Sequence, residues 1–249
     1  GGRVLPARAA GRVAVIARAM GGAPTRPKEP GALAVIAEIV RLELRLHARD
    51  FMAWLGVLVF FWLAFAHASG GPIVLVGGTL ASLPRTAMPV LAQAMAGLTA
   101  FGQVITAMTA ATVALRDVSL RSAGLVLTSG IGWRAYLPGR FAATLVVLLM
   151  IYAAIPLGFA AGAWSAAASA EAMLLPLLTL VLPNVVLVAA AFFAAGALSG
   201  GFAVILFVGL GFIGLWQTGL ALVARDVPLG ALVDPFGNAA LTLGEGLAL

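Results

Sequence analysis

The chain has 249 residues, of which 62% are hydrophobic and only 10% charged, with a mean hydropathy of +1.09. Soluble domains run near a quarter charged, so this composition excludes an ordinary soluble protein and indicates an integral membrane one with room for five or six helical spans. The net charge of +6 would suit nucleic acid, but the cations flank apolar runs instead of sharing an aromatic-studded face, so no nucleic-acid partner is expected.

Residues 1–30 are rich in Gly, Ala, Pro and Arg, and their one apolar piece, Val13–Met20, is too short to span. They read as a basic, partly disordered cytoplasmic arm and not as a secretory leader. Residues 31–50 change character: Val35, Ile39, Leu42 and Leu46 form one helical stripe, and Glu38, Arg41, Arg45 and Arg49 another. An amphipathic helix ending in cations beside an apolar run is expected to lie along the inner membrane surface as an entry helix.

The region 51–224 holds five expected spans, 51–68, 88–115, 141–163, 172–198 and 202–224. The second is long enough to tilt. The third contains Pro156, and the fourth Pro176 and Pro183. Between spans two and three lies an Arg-rich loop, residues 116–140. The tail 225–249 is too polar and Gly-broken for a sixth span and is expected on the outer side.

Charge placement orients these spans. Nine Lys and Arg precede span one and four more lie in the 116–140 loop, whereas only Arg85 and Arg225 fall in the segments assigned to the other side. Cations are retained on the cytoplasmic side during insertion, so the N-terminus is expected inside, in a multi-pass protein of the cytoplasmic (inner) membrane.

No catalytic constellation emerges. Without cysteine there is no disulfide or thiolate chemistry. His47 and His67 sit at opposite ends of span one, too far apart to share a metal, and no metal site is expected. Gly209, Gly211 and Gly214 match a dinucleotide fingerprint, but they lie inside a span with no strand before them; close helix approach explains them better, as it does Gly158/Gly162 and Gly196/Gly200. Polar residues inside spans form the other group of interest. Thr99, Gln103 and Thr106 share a face of span two, Asn184 follows Pro183 in span four, and Gln217 sits in span five. They either bond their own backbone and hold helices together or line a substrate path.

Several motifs stand in a familiar order. Glu43-Leu44-Arg45 lies in the entry helix, Arg116-Asp117 closes span two, and Tyr136-Leu137-Pro138-Gly139-Arg140-Phe141 opens span three. Leu182-Pro183-Asn184, Ala191-Phe192-Phe193-Ala194 and Leu232-Val233-Asp234-Pro235-Phe236-Gly237 follow. Together, over residues 38–241, they resemble the permease subunits of type-2 ABC transporters, most of all the branch whose long chains carry two permease halves and often an aminopeptidase-like domain. Two stretches depart from that pattern: Ser119-Leu120-Arg121-Ser122, where the family has acids, and Leu127-Thr128-Ser129-Gly130, where it has Ser/Thr-Thr-Pro. The family's next span would lie beyond residue 249.

The resemblance implies a transmembrane subunit of an ATP-driven transporter, in the export direction, working by alternating access. ATP and Mg²⁺ would sit on a separate ATPase subunit and no cofactor in this chain, which is itself expected to be no enzyme. Expected partners are that ATPase, a second permease half or copy, and the lipid bilayer. The ATPase-coupling residues implied are Arg116, Asp117, Leu120, Arg121 and Leu125, with residues 117–130 as a short docking helix; anchoring of the arginines to anionic lipid is the competing reading. The path-lining candidates are Thr99, Gln103, Thr106, Asn184 and Gln217. The alternative function is a membrane anchor or assembly subunit that moves nothing.

Overall fold

A computed structural model describes residues 31–119, 133–164 and 169–248, and they form helices with no strand among them. Four helices are long and apolar enough to cross a membrane, or five if a bent pair counts as one span. The all-helical membrane architecture expected from composition is therefore the one that forms.

The entry helix, α1, is Ala32–His47. Its inward face differs from the stripe expected: Ile39 packs inward, but Leu42 and Leu46 stand 55% and 44% exposed. The packed row is instead Ile36, Ile39, Val40, Glu43 and His47, because α1 lies along a neighbouring helix. The first span, α2, is Phe51–Ala68, begun by Asp50, whose carboxylate accepts the Met52 amide at 3.1 Å.

Span two is not one helix. It divides into α3, Met88–Phe101, and α4, Gln103–Ser119, bent by 44° at Gly102. A side chain at 102 would strike the Phe60 ring and come within 2.5 Å of the Tyr152 hydroxyl, so glycine lets those two rings fill the inside of the bend.

Span three starts earlier than expected. α5 runs Trp133–Tyr152 and α6 Ala154–Gly162. Residues 136–140 are thus helical, and the connection between α4 and α5 shortens to 120–132, outside the described residues. The break at Ala153 has a local cause: Pro156 lacks the N–H that would bond the Tyr152 carbonyl.

Span four is α7, Ala170–Pro176, a π-helical turn at Leu177–Val181, and α8, Leu182–Ser199. The two prolines bracket that turn, where the helix takes up the lost hydrogen bonds. Gly200, at φ 62°, caps α8 and lets the chain reverse directly into α9, Phe202–Val223. The tail is folded, not loose. α10, Gly230–Val233, packs on α9, and α11, Asn238–Ala248, packs on α9 and α3. Asp234 accepts the Phe236 and Ala239 amides at 2.8 and 2.7 Å, and Phe236 is fully buried.

Small residues set the helix contacts. α6 lies on α2 because Gly158 and Gly162 place bare backbone against Phe61 to Ser69; a Cβ at 158 would meet the Phe61 carbonyl and sit 2.9 Å from the Ala64 methyl. Gly139 does the same between α5 and α1, and Gly196 between α8 and α4. Gly211 and Gly214 do not: nothing lies within 4 Å of a side chain there, so within the chain they bring no helices together. Two apolar clusters fill the bundle. One surrounds Phe60, Met95, Tyr152 and Phe159; the other surrounds Phe192, Ile205 and Phe236.

Candidate functional site

Two polar features interrupt this apolar bundle. The first lies where α1, α4 and α5 meet. Glu43 falls on the inward row of α1, a helical turn beyond Ile39, so its carboxylate is carried into the bundle and left 2% exposed. Each of its oxygens has a cation: Oε2 accepts from Arg116 at the end of α4, and Oε1 accepts from Arg140 in α5 at 3.1 Å. Arg140 also donates to the Val113 carbonyl at 2.8 Å and to the Tyr136 hydroxyl at 2.7 and 3.0 Å. His47, one turn along α1, places Nδ1 3.0 Å from the Glu43 carbonyl.

A buried carboxylate beside one guanidinium is near electrical balance; two guanidiniums overcompensate it, and the hydroxyl and carbonyl contacts of Arg140 disperse the remaining charge. Chemically the cluster is a clamp. It ties the entry helix to both helices that lead into residues 120–132.

The second feature is a groove of about 740 Å³ walled by the first half of α2, by α4, and by Ile213 and Trp216 of α9. Its lining is mostly apolar, with Met52, Leu55, Val104 and Met108 among the wall residues. Met52–Val59 and Gln103–Thr112 line it, which at 1.5 Å per residue makes it about 10–14 Å long, close to one leaflet of hydrocarbon. His47 and Asp50 stand at one end. At the other, two buried polar atoms have no partner among the described residues: Gln103 Oε1 and Trp216 Nε1. Gln103 is 4% exposed.

The residues expected along a path distribute unevenly. Gln103 alone lines the groove. Thr99 is buried and donates to the Met95 carbonyl of its own helix at 2.7 Å, and Thr106 shares a 3.0 Å hydrogen bond with Tyr152. Asn184 donates to the Phe236 carbonyl at 2.9 Å, tying α8 to the Asp234 turn. Gln217 lies on the exposed side of α9, while its neighbour Trp216 turns into the groove. Three of the five therefore hold the fold together.

The expected coupling residues divide as well. Arg116 is drawn into the Glu43 clamp, only 18% exposed, where a docking contact was expected. Asp117 falls on the last turn of α4; Leu120, Arg121 and Leu125, with most of the 117–130 docking segment, lie outside the described residues.

Glu43 and Trp216 were not among the sequence candidates. The signal for Glu43 was present, an acid three or four residues from Ile39, Val40 and His47 on one face. For Trp216 there was none, because an indole in a span ordinarily reads as packing. Among the described residues no three His, Asp or Glu gather to hold a metal.

No protein-family model matches the chain, and no curated protein or solved structure matches it either.

Proposed function

We propose that this chain is the membrane-embedded permease half of an ATP-driven transporter, moving an apolar or amphiphilic substrate outward across the cytoplasmic membrane while a separate ATPase subunit supplies the work. The observation that carries the reading is the groove: a one-leaflet cavity whose deep end holds unpartnered polar atoms inside the bundle. An anchor needs no such cavity, and buried polar atoms there cost stability that only an occupant would recover.

The clamp supports the same reading. Force applied at 120–132 reaches Arg116 and Arg140, then α4 along its length, then the bend at Gly102 beside Gln103. A glycine hinge at the groove's deep end lets the α4 wall tilt without disturbing α3, which is how a soluble motor would open and close the cavity. The motif resemblance to type-2 ABC permeases supplies the expected motor and the second permease half. The charge asymmetry supports a cytoplasmic N-terminus and a cytoplasmic position for residues 120–132.

The test is reconstitution. The tagged chain, purified in mild detergent with whatever ATPase accompanies it, is placed in liposomes and assayed for ATP hydrolysis. The reading expects hydrolysis that depends on the chain and is uncoupled by Glu43→Gln. Intact, folded protein that brings no ATPase and whose presence changes no hydrolysis rate would favour the anchor.

A further inference from the structure

We infer that the groove takes an uncharged amphiphile bearing a hydroxyl group, seated with its alkyl body along α2 and α4 and its hydroxyl between Gln103 and Trp216. This names a substrate class for the cavity above and rests on the transport reading only for the fate of what binds.

The inference starts from the two orphan atoms. Gln103 Oε1 is an acceptor and the Trp216 indole N–H a donor, both buried, both without a partner among the described residues and both lining one groove. They lie at matching depth. Gln103 is 16 residues from Ser119 at the end of α4, and Trp216 is 14 from Phe202 at the start of α9, so they sit about 24 and 21 Å from those helix ends. Both of those ends face the same side, since one crossing enters the connection before α5 and the other leaves the Ser199–Gly201 turn. A hydroxyl both donates and accepts, so one such group satisfies the pair; an ester or ether oxygen, which only accepts, leaves the Gln103 carbonyl oxygen unmatched.

Charge fixes the remainder. Among the described residues no Lys or Arg lines the groove, and the one acidic side chain that does, Asp50, stands at the end through which a ligand's polar group would pass. An anionic head would meet the Asp50 carboxylate, with no Lys or Arg among the described lining residues to offset it, and would lose its hydration in an apolar channel. A permanently charged cation would have to leave Asp50 behind to reach the deep pair, where only neutral groups wait. The volume agrees with a single small amphiphile: about 740 Å³ lies in the range of small-molecule pockets, roughly 300–1,000 Å³.

The experiment is equilibrium binding to the purified full chain in phosphatidylcholine nanodiscs, whose lipid carries no hydroxyl group, without any ATPase. The probe is labelled 1-monooleoylglycerol, compared with methyl oleate, which lacks the hydroxyls, and with oleate, which is charged. The proposal expects monooleoylglycerol to bind about tenfold or more tightly than either, because a site built to bond a hydroxyl rejects an analogue lacking it. Gln103→Leu and Trp216→Phe should each lower its affinity about five- to tenfold; Gln103→Leu should leave methyl oleate unchanged, whereas Trp216→Phe, which removes the donor an ester oxygen can use, should weaken both. Each should also melt at or above the wild-type temperature when empty, since each removes an unsatisfied buried atom.

Equal binding of the three probes, or tighter binding of oleate, would overturn the proposal. So would a Gln103→Leu protein that keeps the discrimination, or one that melts lower, which would show the amide bonding within the chain. Failure of the transport reading looks different: hydroxyl discrimination would persist in a protein that couples to no ATPase. Coupled hydrolysis without discrimination would overturn the substrate class alone.

Discussion

Replacing Glu43 with glutamine tests whether the clamp holds the bundle together. The substitution keeps the side chain's size but removes the charge shared by Arg116 and Arg140. Their guanidiniums are only 18% and 10% exposed, so water screens them poorly, and they approach each other from α4 and α5. Removing one member of a buried ionic cluster costs about 3–5 kcal/mol, mostly because the remaining charge stays buried. At about 2–4 °C per kcal/mol for a domain of this size, the melting temperature should fall about 6–20 °C. Melting followed by fluorescence-detected size exclusion in one detergent measures this directly.

Glu38→Gln is the control. Glu38 pairs with Arg41 at 3.6 Å on the same helix but is 73% exposed, and such a pair is worth about 0–1 kcal/mol. A double-mutant cycle sharpens the comparison: Glu43→Leu with Arg116→Met should cost less than the two single changes added together, since the second removes a charge the first strands. If Glu43→Gln melts with Glu38→Gln and within about 2 °C of the parent, the clamp carries no stability and the reasoning fails.

Other outcomes follow from the same structure. Gly158→Val should destabilise by about 1–3 kcal/mol, as its side chain enters the Phe61 backbone, whereas Gly211→Ala should be near neutral; equal melting temperatures would place α6 differently on α2. Ile39→Asp should lower folded yield sharply, because Ile39 packs on Gly139, while Leu42→Asp changes an exposed position and should lower it less; the reverse order would rotate α1 by about a sixth of a turn. Because the chain has no native cysteine, single cysteines report topology cleanly. Ser69→Cys should react with an impermeant maleimide in intact cells and Ser199→Cys only after permeabilisation, and the opposite pattern would invert the protein.

The sequence by itself determined that this is a helical membrane protein and where most helices begin and end. That information is local: apolar run length, prolines, and a glycine cap at Gly200 require no knowledge of neighbours. Phe51–Ala68 matched residue for residue, and α9 ended one residue early. What the sequence left hidden depended on a partner helix. Span two reads as continuous because its bend comes from Phe60 and Tyr152, contributed by α2 and α5. Arg116 and Arg140 read as loop charges because their balancing carboxylate, Glu43, is 73 and 97 residues away. Only the tertiary structure could separate Thr99, Thr106 and Asn184, which find hydrogen-bond partners, from Gln103, which does not. A side chain's type states what it can bond, and packing decides which of those bonds remain open.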